Sequence, residues 1–492
     1  MILEAIYEPT FSAKSHGFRP KHSCHTALLQ VKNTFTGVKW IVEGDITACF
    51  DSFDHHVLID ILRERIKDEY FIALVWKMLK AGYMEQWVVH KTFSGTPQGS
   101  GCSPILANIY LNELDKYMEG YKAEFDVQTS KNRLASKEYN RLNHQCHIRL
   151  KKMRDAQFTG NESERQERLS EYKTLRRERL YVPCYPAIDP NYRKIQYNRY
   201  ADDFVIGIIG SRQDAQKVKD DVRDFLQNRL KLTLSEEKTK VTHSSELVRY
   251  LGYDLTVSRS KDTKRLKNGK NQRVWYGTVD LYVPHEKWFD KLREYKALQI
   301  TKDATGKEKW RGTHRGKLMN RSNEGIVSKY NSEIRGIYNF YRLANNATVL
   351  NNFYFVMKGS MYRTFAAKYK STFNKMKAKY EINGVFTVEY ETKTGTKLRE
   401  FYHDGFEQEE EPLFEDIDTM PEYRTHHNAN SLARRLRSGV CEACGKRTQD
   451  IHMHHVRRLK DLTGRNKFES LMLAKRRKSL ALCSDCYEKT RL

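Results

Sequence analysis

Two adjacent aspartates, Asp202 and Asp203, stand at the start of an apolar run that ends at Ile209. Burying an unpaired carboxylate is unfavourable, and a neighbouring negative charge makes ionisation harder. A turn between two strands could simply expose both side chains. Alternatively, they bind Mg²⁺, since a catalytic pair of ions needs few protein carboxylates. Asp45, which follows the predicted strand 40–44, is then the natural third ligand. A tight turn is required, because neighbouring strand residues point to opposite faces.

A second group of residues able to bind metal lies near the C-terminus. Four cysteines form two C-x-x-C pairs, namely Cys441, Cys444, Cys483 and Cys486. This spacing predicts a closed, four-thiolate Zn²⁺ site, and chance spacing of reduced thiols is the alternative. The remaining cysteines are scattered, which indicates a reducing compartment rather than a disulfide framework.

The composition indicates a polyanionic partner. The 492 residues contain 87 lysines and arginines against 62 acidic residues, a net charge of +25. The excess extends along most of the chain, which favours nucleic acid bound through its phosphates. Anionic lipid is the weaker alternative, because no strongly apolar amphipathic helix accompanies the charge. No apolar run could span a bilayer, and no basic cluster marks a secretory signal, so we expect no membrane partner.

Several elements must position these side chains. Residues 55–80 have helical apolar spacing, and residues 195–209 are predicted to form a strand–turn–strand. Residues 115–179 are rich in charge and nearly free of Gly and Pro, which predicts a long helical insertion, with partial disorder as the competing interpretation. Residues 285–385 are helical in pattern, basic and interleaved with aromatic side chains.

Residues 200–203, Tyr-Ala-Asp-Asp, resemble the central motif of reverse transcriptases, in the version found in group II introns. Five further stretches resemble that family's motifs in the family's order: residues 15–23, 43–51, 95–99, 234–239 and 250–253. Together they cover the chain to about residue 255. The resemblance implies a right-hand polymerase.

This resemblance implies roles for individual residues of the palm. Asp45, Asp202 and Asp203 would hold two Mg²⁺ ions, which activate the primer 3′-hydroxyl and stabilise the pyrophosphate. Lys238 would protonate that leaving group. The other implied roles are a ring that blocks the ribose 2′-hydroxyl, a nucleotide pocket, and a turn that grips the primer end. The residues concerned are Phe50 for the ring, Gln98 and Gly99 for the pocket, and Tyr250 and Gly252 for the turn.

Two later stretches extend the resemblance. Residues 330–341 are similar to the signature of the thumb, or X, domain of intron maturases, although the residues alone suggest an ordinary amphipathic helix. Residues 451–456 resemble the start of an HNH nuclease, which implies that His454 ligates a metal and that His455 is the general base. The family usually places more histidines after the last cysteine pair, and residues 487–492 contain none. We therefore expect a module that binds DNA but cuts it poorly or not at all.

The expected fold is α+β: a right-hand polymerase palm with partial fingers, a helical thumb or maturase domain, and a small C-terminal zinc-binding HNH-like domain. The predicted regions are residues 1–120 (partial fingers and palm), 121–185 (charged helical insertion), 186–284 (second part of the palm), 285–385 (thumb), 386–436 (DNA-binding or linker region) and 437–492 (zinc module). The family normally has more fingers sequence before this chain's first residues. An N-terminally truncated protein, or a gene model begun at an internal methionine, is therefore expected.

The leading interpretation is an RNA-directed DNA polymerase and maturase of a mobile group II intron. Its partners would be intron RNA, a DNA target site and dNTPs. A splicing maturase without polymerase activity is the main alternative, and a retron-like or CRISPR-associated reverse transcriptase is a third. A bacterial cytoplasm is the expected compartment, with an organelle as the alternative. The oligomeric state is open, and a dimer is conceivable.

Overall fold

The first part of the chain consists mainly of helices, together with strands of which some join a central sheet. The computed structural model describes residues 2–85, 88–90, 94–96, 101–128, 134–185, 192–258, 263–265, 269, 271–273, 277–302, 305–392, 395–412, 432–456 and 458–490. Its first helices are α1 (Ile2–Tyr7), α2 (Cys24–Thr34), α3 (Cys49–Ser52), α4 (His55–Arg65), α5 (Glu69–Lys80) and α6 (Ser103–Phe125). Its first strands are β1 (Trp40–Gly44), β2 (Tyr83–Glu85), β3 (Val88–His90) and β4 (Val127–Gln128).

The helical spacing of residues 55–80 is confirmed, and the stretch is divided between two helices, α4 and α5. The break follows from capping. The Asp68 carboxylate accepts hydrogen bonds from the backbone N–H groups of Tyr70 and Phe71, which starts a new helix. Apolar spacing continues through the break, so periodicity alone could not reveal it.

A helical hairpin follows, formed by α7 (Lys137–Phe158) and α8 (Glu162–Tyr181). The prediction of a helical insertion is confirmed for these residues. No residue of α8 is buried, so the hairpin projects a largely polar surface. Helix α6 continues to Phe125 and therefore runs through the boundary expected at residue 120.

The central sheet is antiparallel and contains the predicted strand–turn–strand. The next elements are β5 (Tyr192–Tyr200), β6 (Asp203–Ile209), α9 (Arg212–Arg229), β7 (Val241–His243), β8 (Val248–Tyr250), β9 (Tyr253–Val257), β10 (Thr263–Arg265), β11 (Asn271–Arg273) and β12 (Val279–Tyr282). The strand order in the sheet is β4-β5-β6-β1-β7. Strand β1 thus pairs with β6 although about 160 residues separate them along the chain.

Both faces of this sheet are buried, which explains the nearly continuous apolar run in β6. One face packs Ile206 and Ile208 against the helices α4, α5, α6 and α9. The other face packs Val205 into a core shared with α2, with the β8–β9 hairpin and with the helices beyond residue 285. The sheet is therefore fixed on both sides, and its turns are held firmly.

The region after residue 284 is mainly helical, but it contains a hairpin that we did not predict. Its elements are α10 (His285–Glu294), β13 (Leu298–Lys302), β14 (Glu308–Gly312), α11 (Asn323–Tyr341), α12 (Leu350–Lys368), α13 (Phe373–Tyr380), β15 (Glu381–Ile382), β16 (Val385–Thr392) and β17 (Gly395–Glu400). The hairpin β13–β14 is mostly exposed, so no buried apolar alternation marks it in the sequence.

A small module ends the described chain. It contains α14 (Leu432–Arg437), β18 (Ile451–His455), α15 (Lys467–Ala474), β19 (Ser479–Cys483) and α16 (Ser484–Glu488). Strands β18 and β19 form an antiparallel pair against which α16 packs. An ion pair of 3.1 Å joins Arg437 to Glu4 at the start of the chain. Among the helices in the described ranges, none is both long and apolar enough to span a bilayer.

Candidate functional site

A tight turn brings the paired aspartates to one end of the central sheet. Tyr200 pairs with Asp203 across the β5–β6 hairpin, which leaves only Ala201 and Asp202 in the loop. Ala201 has a φ of 54°, the left-handed region that such short hairpins require. The tight turn that the sequence analysis predicted at the paired aspartates is therefore present.

Strand pairing places Asp45 beside this turn. Gly44 lies opposite Phe204, so the next residue, Asp45, comes level with Asp203. A Cβ atom at Gly44 would lie 2.1 Å from the Phe204 ring, so glycine permits the two strands to approach here. Three carboxylates from two distant segments thus meet at one edge of the sheet.

The electrostatics of this edge favour a cation. Burial, together with the nearby Asp202 and Asp45, raises the pKa of Asp203 to about 6. Burial also raises the pKa of Asp202. The Nζ atom of Lys238 lies 3.1 Å from an Asp45 carboxylate oxygen, and that side chain is 69% exposed. One exposed lysine stands against three carboxylates, so the set can accept divalent ions.

A buried ion pair that sequence reasoning missed supports the turn. Arg199 and Asp115 are both fully buried, with their closest N–O distance at 2.6 Å. Arg199 also donates hydrogen bonds to the Ala201 carbonyl at 2.7 Å and to Ser15 Oγ at 2.7 Å. Burial opposes the charge of Arg199, but Asp115 outweighs burial, so the arginine pKa is raised. The sequence carried little signal for this pair, because Arg199 lies in a strand with other charged residues and its partner lies 84 positions away.

Phe50 is half-buried in α3 and contacts the loop that begins at residue 94. Its backbone carbonyl accepts a hydrogen bond of 2.7 Å from the Thr96 N–H. A Cβ atom at Gly95 would lie 2.4 Å from that same carbonyl oxygen, so this position needs glycine. The loop is thereby anchored to the Phe50 backbone. Gln98 and Gly99 lie outside the described residues.

The predicted primer turn connects β8 to β9 and contacts the region after residue 284. Leu251 and Gly252 form its two-residue loop, with φ angles of 47° and 78°. The Tyr250 side chain is buried, and its hydroxyl donates to Asn198 Oδ1 at 2.8 Å. Tyr250 therefore belongs to the core, and the loop itself is the accessible part. Tyr341 donates a hydrogen bond of 3.2 Å to the Gly252 carbonyl, which ties α11 to the turn.

Residues 330–341 form the second half of α11 and have the amphipathic pattern that the sequence predicts. Tyr330 is fully buried and its hydroxyl bonds Ser360 at 2.7 Å. Arg335 remains at the surface, with a contact of 3.9 Å to Asp404. The aromatic stripe is therefore packing, and the basic residues of the helix face outward.

The four C-terminal cysteines converge as predicted. The Sγ atoms of Cys441, Cys444, Cys483 and Cys486 all lie within 4.8 Å of one another. The Cys444–Cys483 distance is 3.7 Å, close to the roughly 3.8 Å edge of a tetrahedron with Zn–S bonds of about 2.3 Å. Burial opposes ionisation of Cys441, but backbone N–H donors outweigh it and lower its pKa to about 6. The set therefore fits a zinc ion by geometry and by donor type.

The histidines of the module lie on one strand, β18. Alternation along β18 places His452 and His454 on one face and His455 on the other. Burial, followed by His455, lowers the pKa of His454, whereas His455 is exposed. His452 lies 3.3 Å from Asp450 and stacks on Tyr487 with ring centroids 5.0 Å apart.

Comparison with known proteins agrees with this architecture. Three family models match the chain: Reverse transcriptase (RNA-dependent DNA polymerase) at residues 1–158 and 174–255, Type II intron maturase at residues 276–415, and AI2M/AI1M-like HNH endonuclease at residues 441–487. The fold is therefore a right-hand reverse transcriptase with a maturase domain and a small HNH-type module.

Individual relatives specify the family. The chain is 41% identical to the group II intron-encoded protein LtrA of Lactococcus lactis subsp. cremoris, over 99% of this chain and 80% of that protein. It is 33% identical to the putative COX1/OXI3 intron 2 protein of Saccharomyces cerevisiae, over 99% of this chain and 55% of that protein. A telomerase structure from Candida tropicalis aligns with a TM-score of only 0.32 at 12% identity, over 77% of this chain and 46% of that one. The chain belongs to the family of group II intron-encoded reverse transcriptases and maturases, so it is an RNA-directed DNA polymerase.

Proposed function

We propose that Asp45, Asp202 and Asp203 hold two Mg²⁺ ions and form the polymerase centre. The observation that carries this proposal is the convergence of the three carboxylates, with Lys238 at 3.1 Å from one of them. Bound Mg²⁺ would supply charge neutralisation for nucleotidyl transfer. The raised pKa of Asp203 supports the assignment, because a bound cation would favour the ionised carboxylate that burial and the two neighbouring aspartates disfavour.

The other residues act on the substrates directly. Lys238 is exposed beside the carboxylates and can donate a proton to the departing pyrophosphate. The Phe50 ring restricts the space for a ribose 2′-hydroxyl and so selects dNTPs. Gln98 and Gly99 line the nucleotide pocket, and the turn at Gly252 holds the primer end. Supporting observations are the Phe50 anchor to the loop at residue 96 and the contact between Gly252 and α11.

The partners follow from the family and the charge. The proposed RNA partner is the chain's own intron RNA, and the proposed DNA partner is the intron's target site. A net charge of +25 supports binding through the phosphates of both. The 41% identity to a bacterial relative supports a bacterial cytoplasm as the compartment.

A primer-extension assay tests the proposed chemistry. We expect the protein to extend a DNA primer on an RNA template in Mg²⁺ and to stop when the metal is chelated. Extension of the same primer on a DNA template serves as a comparison of template class. If extension fails while intron RNA is still bound tightly, the protein is a splicing maturase without polymerase activity. The intact set of three carboxylates argues against that second candidate.

We further propose that the C-terminal module holds one Zn²⁺ ion and binds DNA without cutting it efficiently. The four converging thiols support the ion. Among the residues that the structure describes, His454 belongs to no cluster of side chains that could hold a metal ion, which supports impaired cleavage.

Metal analysis and a cleavage assay test the module together. The purified protein should contain about one zinc per chain, and Cys444→Ser should lose it, with faster proteolysis beyond residue 432 as the module loosens. Cys146→Ser, which changes a buried cysteine of the α7–α8 hairpin, should keep the zinc. Both the wild type and Cys146→Ser should bind target DNA and leave its second strand intact. Strong second-strand cleavage by the wild type would contradict the impaired nuclease.

A further inference from the structure

An exposed aromatic ring lies near the paired aspartates in a strained backbone conformation. Phe18 has a φ of 57°, which is unfavourable for a bulky side chain. Its side chain is nevertheless 38% exposed, so burial does not account for the strain. Strained residues persist only where their surroundings hold them, and such residues are frequent at functional sites.

The loop around Phe18 is held rigidly. Arg19 is 5% exposed and donates hydrogen bonds of 2.6 Å to the carbonyls of Ser12 and Ser15. It also forms an ion pair of 2.9 Å with Glu8. These contacts fix the backbone directly after Phe18, so its ring has a defined position.

The same loop is pressed against the catalytic turn. A Cβ atom at Gly17 would lie 2.5 Å from the backbone nitrogen of Ala201. The Gly17 carbonyl accepts a hydrogen bond of 2.8 Å from Asn108, which is buried. Phe18 is thereby placed at a fixed distance from the turn that carries Asp202 and Asp203.

The ring of Phe18 contacts Phe50. The two ring centroids are 6.3 Å apart at an interplanar angle of 83°, an edge-to-face arrangement. A second ring, Phe53, contacts Phe50 at 6.1 Å. Phe53 is fully buried, so the core restrains Phe50 on that side. Phe18 is a further aromatic contact of Phe50 among the described residues, and it comes from a separate loop.

We propose that Phe18 is a positioning residue for sugar selection. It holds the Phe50 ring in the place where that ring meets a ribose 2′-hydroxyl, so it increases discrimination between deoxyribonucleoside and ribonucleoside triphosphates. The inference rests on the proposed role of Phe50. The strain at Phe18 is then explained by the need to present a ring at this point from a loop fixed by Arg19.

Nucleotide discrimination tests this role. The measured quantity is the ratio of kcat/KM for a dNTP to that for the matching rNTP during primer extension. Phe18→Ala should lower this ratio about two- to tenfold, chiefly through better rNTP use, as expected for the loss of one aromatic contact. Phe18→Asn tolerates a positive φ and should lower it similarly, while Phe18→Tyr should preserve it. Phe158→Ala, at an exposed position on the helical hairpin, serves as the control.

Phe50→Val distinguishes a failure of the proposed role of Phe50 from a failure of the proposed role of Phe18. It should lower the ratio more than any Phe18 variant, and adding Phe18→Ala to it should change little. If Phe50→Val relaxes selection while Phe18→Ala and Phe18→Asn do not, the inference about Phe18 is overturned and the proposed role of Phe50 is supported. If Phe50→Val leaves the ratio unchanged, the proposed role of Phe50 in sugar selection is wrong, and the role of Phe18 that depends on it is wrong as well.

Discussion

Substitution of Asp203 by asparagine is expected to lower the rate of primer extension by about 10³-fold, because a metal ligand of the reaction is lost. Metal coordination contributes several kcal/mol of transition-state stabilisation, and each 1.36 kcal/mol corresponds to about a factor of ten in rate. Asp202→Asn and Asp45→Asn should behave alike, since the three carboxylates meet at the same edge of the sheet. Asp60→Asn changes a carboxylate on α4 that is 77% exposed and should leave extension unchanged.

The same substitution should make the metal-free protein more stable near pH 8. Burial raises the pKa of Asp203 from 3.8 to about 6, so the folded state favours the protonated form. The stabilisation from this group is fully present below pH 4 and is lost as the pH rises through 6. Removing the charge should therefore raise the melting temperature at pH 8 but not at pH 4. Because the side chain is partly exposed, the gain is at most about 1 kcal/mol.

Mg²⁺ should reverse the difference in stability between the wild type and Asp203→Asn. A ligand that binds only the folded state raises its stability by RT ln(1 + c/Kd), where c is the free ligand concentration, so tighter binding gives a larger increase. Millimolar Mg²⁺ or Mn²⁺ should therefore raise the melting temperature of the wild type more than that of Asp203→Asn. Equal shifts in the two proteins, or undiminished extension by Asp203→Asn, would show that Asp203 is not a metal ligand.

The sequence predicted the carboxylates well because local patterns determine their positions. A pair of aspartates next to an apolar run, and a third after another predicted strand, are visible without the fold. The alternation rule also required the tight turn that Ala201 now provides. Lys238 and Phe50 came only from the family resemblance, since an isolated lysine or phenylalanine carries no such signal.

Other features depended on contacts that no local pattern records. Apolar spacing continues through the break between α4 and α5, so only the cap at Asp68 reveals two helices. His452 stacks on Tyr487, which lies 35 positions further along the chain, and no local pattern records this contact. Tyr250 belonged to a motif for primer contact, but its ring is buried and only the adjoining loop is accessible. Each of these features depends on which residues a side chain contacts in the folded protein.

The supporting ion pair of the catalytic turn gives the second large expected effect. Asp115→Ala should destabilise the protein by about 3–5 kcal/mol, because it leaves the fully buried Arg199 without its counter-charge. The loss should appear as a lower midpoint of urea unfolding. Extension should also fall under conditions where the variant remains folded, since Arg199 holds the Ala201 carbonyl at the base of the turn.

A double variant distinguishes the effect of an unpaired buried charge from the effect of lost packing. Asp115→Leu combined with Arg199→Met removes both charges and retains apolar volume, so it should be more stable than Asp115→Ala alone. Its extension should stay low, because no donor then reaches the Ala201 carbonyl. Glu69→Ala, which breaks an exposed ion pair with Arg63 on α4, should change the unfolding midpoint only slightly. If Asp115→Ala unfolds at the wild-type midpoint, the buried pair does not stabilise the palm. If the double variant instead extends primers at the wild-type rate, Arg199 does not position the aspartates, and the strand pairing of β1 with β6 is sufficient to hold them.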